Sequence, residues 1–176
     1  MLFRRVYVTE MLSFDVRSIL AQAVAVEADL RPDDPLWSDL EPRPSDVVRL
    51  TGRLSPAGEG RFYFAGQFAG AVHTDCRRCL APVTIPVADE VAALFTDADN
   101  EEAGDPDVFP LADGGARVDL SPAVREQWIL TAPAFALCRP DCRGLCANCG
   151  ADLNAGACSC APAPDPRWDA LRRATS

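Results

Sequence analysis

From Asp46 onward the chain alternates apolar and polar side chains, and that period of two predicts β-structure. Val48, Leu50 and Leu54 fall on one side of the ribbon while Arg49, Thr51 and Arg53 fall on the other, as in a half-buried strand. Ser55 to Gly60, with Pro56, Gly58 and Gly60, reads as a turn. The alternation resumes in Phe62, Phe64, Phe68 and Val72 against Tyr63, Gln67, His73 and Asp75, and again after Pro82 in Val83, Ile85, Val87, Val91 and Phe95. Gly66 and Gly70 lie inside the longer of these runs and read as bulges or bends. Cys76 and Cys79 fall between the two strands, at the tip of a β-hairpin.

Helical spacing appears outside the strands. Ser13 can cap a short helix in which Val16, Ile19, Leu20, Ala23 and Val24 share one apolar stripe. Ser121-Pro122 starts a second helix, with the serine as cap, Val124 and Trp128 inward and Pro133 as terminator. Asp165-Pro166 starts a third, carrying Trp168 and Leu171. Residues 31–45, rich in Pro and Asp and including Trp37, read as a connection, and residues 96–116 as a mobile acidic loop. The expected fold class is α+β: an antiparallel sheet with the option of barrel-like closure, a few short helices and a cysteine-rich segment at the end. Two parts are expected, a body over residues 1–132 that carries the hairpin-tip cysteines and the acidic loop, and a zinc-binding segment over residues 133–176 packed back on it.

Length and composition agree with this division, since 176 residues with 48% apolar content allow one real core and an appendage. No run approaches the 18 or so uncharged apolar residues of a membrane span, and the opening Met-Leu-Phe-Arg-Arg lacks the apolar core of a signal peptide. A cytoplasmic location is expected, where clustered thiols hold metal more often than they form disulfides. The net charge of −9 is concentrated in residues 89–119, which hold ten acids against the single base Arg117. All seventeen bases of the chain are arginine. Such an acidic protein is a poor nonspecific nucleic-acid binder, although a locally basic face remains open.

The chemistry is concentrated in cysteine. Six of the eight lie between Cys138 and Cys160, and Cys146-x2-Cys149-Gly150 has the spacing that lets two thiolates reach one ion, with a glycine able to take φ > 0 behind them. Cys138, Cys142, Cys158 and Cys160 flank that unit, and Cys76-x2-Cys79 supplies a fourth pair. Eight thiols make two four-coordinate sites, closed and therefore structural. One division joins Cys158 and Cys160 to Cys146 and Cys149, leaving Cys138 and Cys142 to reach back to Cys76 and Cys79. The reverse division, and a single site with spare thiols, satisfy the spacing too. Arg77, Arg78, Arg139, Arg143 and Arg167 flank the cysteines, and two roles stand side by side for them: contact with RNA or a partner, or neutralisation of negative thiolate centres.

A thiol oxidoreductase or redox-sensing zinc protein is the alternative, since Cys-Arg-Arg-Cys sets two guanidinium groups between thiols. Against it, a strand follows that pair where thioredoxin-type chemistry has a helix. The sole histidine, His73, points away from Cys76 on its strand, and no phosphate loop, nucleophile elbow or His-Glu-x-x-His is present. No catalytic constellation assembles.

Taken in order, Cys76-Arg77-Arg78-Cys79-Leu80, the acidic interval, the Ser-Pro helix, Gly144-Leu145-Cys146-Ala147-Asn148-Cys149-Gly150, Asp152-Leu153-Asn154, Cys158-Ser159-Cys160 and Asp165-Pro166-Arg167 resemble the bacterial YceD family. The resemblance covers roughly residues 10–173, with Ala147 where relatives often carry proline. It implies a cytoplasmic, non-enzymatic factor for accumulation of 23S ribosomal RNA and large-subunit assembly. On that basis the expected partners are a large-subunit precursor, a ribosomal protein, an assembly factor or ribosomal RNA.

Overall fold

The computed structural model describes residues 12–58, 60–97, 99–100, 105–160, 166–168 and 173–174. By contact density the chain divides into two units, one formed by residues 1–74 and 84–134 and the other by residues 75–83 and 135–176.

The first unit is built on the alternating segments. Strands β2 (Val24–Leu30), β3 (Val48–Pro56), β4 (Arg61–Asp75), β5 (Pro82–Thr96) and β6 (Val108–Pro110) lie side by side in that order. Strands β2 and β3 pair antiparallel from Val24↔Leu54 to Leu30↔Val48, and β3 and β4 from Arg49↔Ala69 to Pro56↔Phe62. The sheet is mixed, because β6 runs parallel to β5 with Leu94 opposite Val108. It is also open: among the described residues the outer strands β2 and β6 do not meet, so barrel closure is not realised. A second, two-stranded sheet pairs β1 (Ser13–Asp15) with β7 (Arg117–Asp119). Helices α1 (Val16–Ala21) and α2 (Ser121–Thr131) complete an α+β architecture.

The core lies where the period of two placed it. Val48, Leu50, Leu54, Phe62, Phe64, Phe68, Val72, Val87, Val91 and Phe95 are all buried, and Trp128 of α2 packs over them with its ring 5.7 Å from that of Phe68. Trp37, read from sequence as part of a connection, is fully buried as well. It sits in a 3-10 turn (Pro35–Trp37) with its ring 5.2 Å from Trp128, and its indole N–H donates to Arg31 O at 3.0 Å. A polar-rich segment hides this residue because its neighbours in sequence are not its neighbours in space.

Three local expectations are corrected. Gly66 is no bulge, since the β3–β4 register runs through Gly52↔Gly66 without a break. A Cβ there would stand 2.5 Å from Thr51 O and 2.7 Å from the Phe64 ring, so glycine gives the ring room to lie across the sheet. Gly70 likewise makes space for Val48 and Trp128. The first helix is capped by Asp15, whose carboxylate accepts from Arg17 N at 2.8 Å, and it ends at Ala21; Ser13 lies in β1 and Val24 in β2. In α2 Ser121 is already helical, and the carboxylate of Asp119 accepts its amide at 2.9 Å.

The segment read as a mobile loop, 96–116, carries β6 in its described part, with Phe109 stacked 5.5 Å from Phe95. Ala98 and residues 101–104 of that segment, and Leu171 of the expected third helix, lie outside the described residues. Pro166–Trp168 forms a 3-10 turn. No helix of the described residues is long and apolar enough to cross a membrane.

Candidate metal centre

The second unit contains two turns of the same construction. In the first, Leu80 N donates to Cys76 O at 2.9 Å and Cys76 N to Ala81 O at 2.8 Å. In the second, Gly150 N donates to Cys146 O and Cys146 N to Ala151 O, both at 2.9 Å. Each turn needs a left-handed residue directly after its second cysteine: Gly150 takes φ 72°, and in the other turn Leu80 takes φ 60°. Hydrogen bonds folded back in this way aim two sulfurs to one side, where a second pair can complete a tetrahedron.

One second pair comes from the chain between the two turns and the other from the chain after the second turn. Cys138 and Cys142 join Cys76 and Cys79, while Cys158 and Cys160 join Cys146 and Cys149; within each quartet every sulfur lies within 4.8 Å of the others. Cys76 Sγ is 3.8 Å from Cys142 Sγ, and Cys79 Sγ 3.6 Å from Cys138 Sγ. Zinc with bonds of about 2.3 Å holds tetrahedral sulfurs about 3.8 Å apart, whereas a disulfide needs about 2.05 Å. All eight are free thiols, and the spacing fits a shared ion. The quartets differ in exposure. Cys76 and Cys142 are buried in the first, while none of the four is buried in the second.

Local amides prepare one thiolate in each turn. The Cys76 thiol is drawn down to about 6, first by the amide of Cys79 and then by that of Cys138, and the Cys146 thiol to about 6 by the amides of Cys149 and Asn148. Opposing them, Cys138 is pushed up to about 12 by the Cys142 thiol and by burial, and Cys160 to about 11 by Cys149 and by burial. Crowded thiols cannot all ionise unaided, and a divalent cation among them is the natural remedy.

Backbone contacts hold both turns in place, and one of them joins the second turn to the first. Leu145 N donates to Arg78 O at 3.0 Å, Arg77 N to Ala136 O at 2.9 Å, and Leu153 N to Gly144 O at 2.9 Å. Gly144 is obligatory at this joint, with φ 75° and a Cβ position only 2.8 Å from Arg78 O. Of the flanking arginines, Arg78 is exposed yet donates through Nη1 to Cys142 O at 2.8 Å. Arg77 lies over the exposed ring of Phe135 at 4.7 Å, Arg143 is exposed, and Arg167 is exposed on its 3-10 turn.

Sequence reasoning missed Asn154 as a site residue. Its Nδ2 donates to Cys142 Sγ at 3.6 Å and to Asp152 Oδ1 at 2.7 Å, and its Oδ1 accepts from Arg143 N at 2.7 Å and Arg139 Nη2 at 2.8 Å. Only its place in the Asp-Leu-Asn stretch between two cysteine pairs hinted at it. His73, at the surface of β4, meets Thr84 Oγ1 at 3.2 Å and takes no part.

The model of a family described as large ribosomal RNA subunit accumulation protein YceD matches residues 64–173. Uncharacterized proteins of Mycobacterium tuberculosis and Mycobacterium bovis are each 31% identical over 128 residues, covering 71% of this chain and 60% of their own length. A protein of Zea mays, named large ribosomal RNA subunit accumulation protein YCED homolog 1, chloroplastic, is 28% identical over 148 residues, covering 66% of this chain and 47% of its own. The chain thus spans about three fifths of the length of the mycobacterial relatives. No solved structure matches it.

Proposed function

The chain belongs to the YceD family, and from that premise we propose that it is a non-enzymatic, zinc-bearing binding factor that serves accumulation of large-subunit ribosomal RNA in the cytoplasm. Cys76, Cys79, Cys138 and Cys142 hold one zinc ion and Cys146, Cys149, Cys158 and Cys160 the other. Both ions are structural, since four thiolates leave no open position for water or substrate. The observation that carries this reading is the gathering of all eight thiols into two groups of four, each with its sulfurs within 4.8 Å. Bound zinc supplies cross-linking and a fixed surface, not chemistry.

Each ion with four thiolates carries a net charge of −2, so the arginines around the quartets do two things at once. Arg78 and Arg139 are directed into the scaffold, where they balance the thiolates. Arg77, Arg143 and Arg167 are directed to a ribosomal protein, an assembly factor or ribosomal RNA of the large-subunit precursor. The acidic residues 89–119 favour basic polypeptide and disfavour indiscriminate RNA binding.

Native mass spectrometry of protein purified under reducing conditions should show two zinc ions. In cells deprived of the protein, 23S ribosomal RNA should fall, and a gene with all four cysteines of either quartet changed to serine should not restore it. Metal-free protein with one fast-reacting cysteine pair would instead favour a thiol oxidoreductase. Replacing Arg77, Arg143 and Arg167 together with Gln should weaken capture of large-subunit precursors; undiminished capture refutes the arginine face.

A further inference from the structure

Asn154 belongs by sequence to one quartet and by contact to the other. It lies in the chain between Cys149 and Cys158, inside the loop that the second quartet closes, yet its side chain ends against Cys142 Sγ of the first. All four hydrogen-bonding positions of the carboxamide are filled, and the orientation is dictated. Arg143 N and the Arg139 guanidinium can only donate, so they need the oxygen; Asp152 and the Cys142 sulfur need the nitrogen. Its own backbone is held too. Asn154 N donates to Asp152 Oδ1 at 2.9 Å, and Asp152 bridges to Leu145, whose amide reaches Arg78 O in the first turn.

We propose that Asn154 is a positioning residue that couples the two metal sites, so that filling the second quartet raises the affinity of the first. The inference rests on the zinc reading above. An ion held by Cys146, Cys149, Cys158 and Cys160 orders residues 150–158 and sets the Asn154 amide against Cys142. There the N–H stabilises a buried thiolate, just as partners outside the ligand shell tune other metal sites. Linkage requires the effect to be mutual, so an ion in the first quartet also favours occupation of the second.

The test is titration of the metal-free, reduced full chain with Zn(II), followed by native mass spectrometry, with a chelator competition in parallel. The native chain should pass from no ions to two with little one-ion species at the midpoint. In Asn154→Ala the one-ion species should accumulate, and affinity at the first quartet should fall roughly 10- to 100-fold, the range for loss of such a partner. Alkylation mapping should then find Cys76, Cys79, Cys138 and Cys142 reactive while the other four stay protected.

Asn154→Asp keeps acceptor oxygen for Arg143 N and Arg139 but sets a carboxylate oxygen where the N–H met Asp152 and the Cys142 sulfur, so it should show the same selective loss at least as strongly; continued protection of the second quartet separates that loss from collapse of the turn. With Co(II) in place of Zn(II), the thiolate-to-metal charge-transfer band of either variant should move to lower energy, a signature that a merely structural role would not produce. Independent binding of two ions in the native chain, or an unchanged first-quartet affinity and band in both variants, overturns the coupling and leaves the zinc reading intact. Failure of the native chain to bind any metal overturns both.

Discussion

Three glycines of the cysteine-rich unit form a graded test of how the metal sites are built. At Gly144 φ is 75° and an added Cβ would stand 2.8 Å from Arg78 O and 3.2 Å from Arg78 Cβ, so Gly144→Ala meets both strain and collision. Left-handed backbone costs an L-residue about 1–2 kcal/mol, overpacking against atoms that cannot yield adds about 1–3 kcal/mol, and reduced freedom of the unfolded chain returns about 0.4–1 kcal/mol. The net loss is about 1–5 kcal/mol, with about 3 kcal/mol at mid-range. Because binding and ordering are linked in such sites, it emerges as a first quartet weaker by roughly 100-fold at mid-range and at least about 5-fold. At Gly150 φ is 72° with nothing within 4 Å, leaving strain alone, and Gly150→Ala should weaken the second quartet only several-fold. Gly156 has neither positive φ nor a neighbour within 4 Å, so Gly156→Ala should match or slightly exceed the parent. Zinc release to a chromophoric chelator, with alkylation mapping to identify the liberated thiols, measures all three. Equal release from Gly144→Ala and Gly156→Ala would refute the reasoning, because the joint at Arg78 would then have no role in holding the first quartet.

Leu80 takes φ 60° where the sister turn has glycine, and its side chain is 64% exposed. Leu80→Gly should therefore leave the first quartet as tight or up to about 1 kcal/mol tighter; zinc release more than threefold faster would contradict this. Trp128 is the hub on which Trp37, Phe68 and Gly70 converge, and Trp128→Ala should lower the stability of the first unit by about 3–5 kcal/mol in urea unfolding. A loss below about 1 kcal/mol would show that the site repacks. The Asp89 carboxylate accepts from Thr131 Oγ1 at 2.8 Å, Glu90 N at 2.9 Å and Gln127 Nε2 at 3.0 Å, and these hold it below the usual 3.8, Thr131 contributing most. A lowered folded pKa means that its stabilisation is present above the unfolded value and disappears as pH falls through the folded one. Carboxyl-carbon NMR should find the midpoint below 3.8, shifting upward in Thr131→Val; an unmoved midpoint would assign the shift elsewhere.

What could be read from the chain alone was whatever depends on near neighbours. Alternation at Val48, Leu50, Leu54, Phe62, Phe64, Phe68 and Val72 marked the buried face of β3 and β4, because a strand turns successive side chains to opposite sides whatever it packs against. The Cys-x2-Cys turns were legible for the same reason: two residues of spacing and a left-handed residue behind them are local geometry. The tertiary structure alone decided how the thiols are shared, since spacing permits several divisions and contacts through space, among them Arg77–Ala136, Arg78–Leu145 and Arg78–Cys142, bring Cys138 and Cys142 to Cys76 and Cys79. It likewise decided that the sheet stays open, that Gly66 makes room for a ring instead of a bulge, and that Trp37 and Asn154 matter. Each of these depends on atoms that meet through space across long stretches of chain, and no periodicity in the sequence records such a meeting.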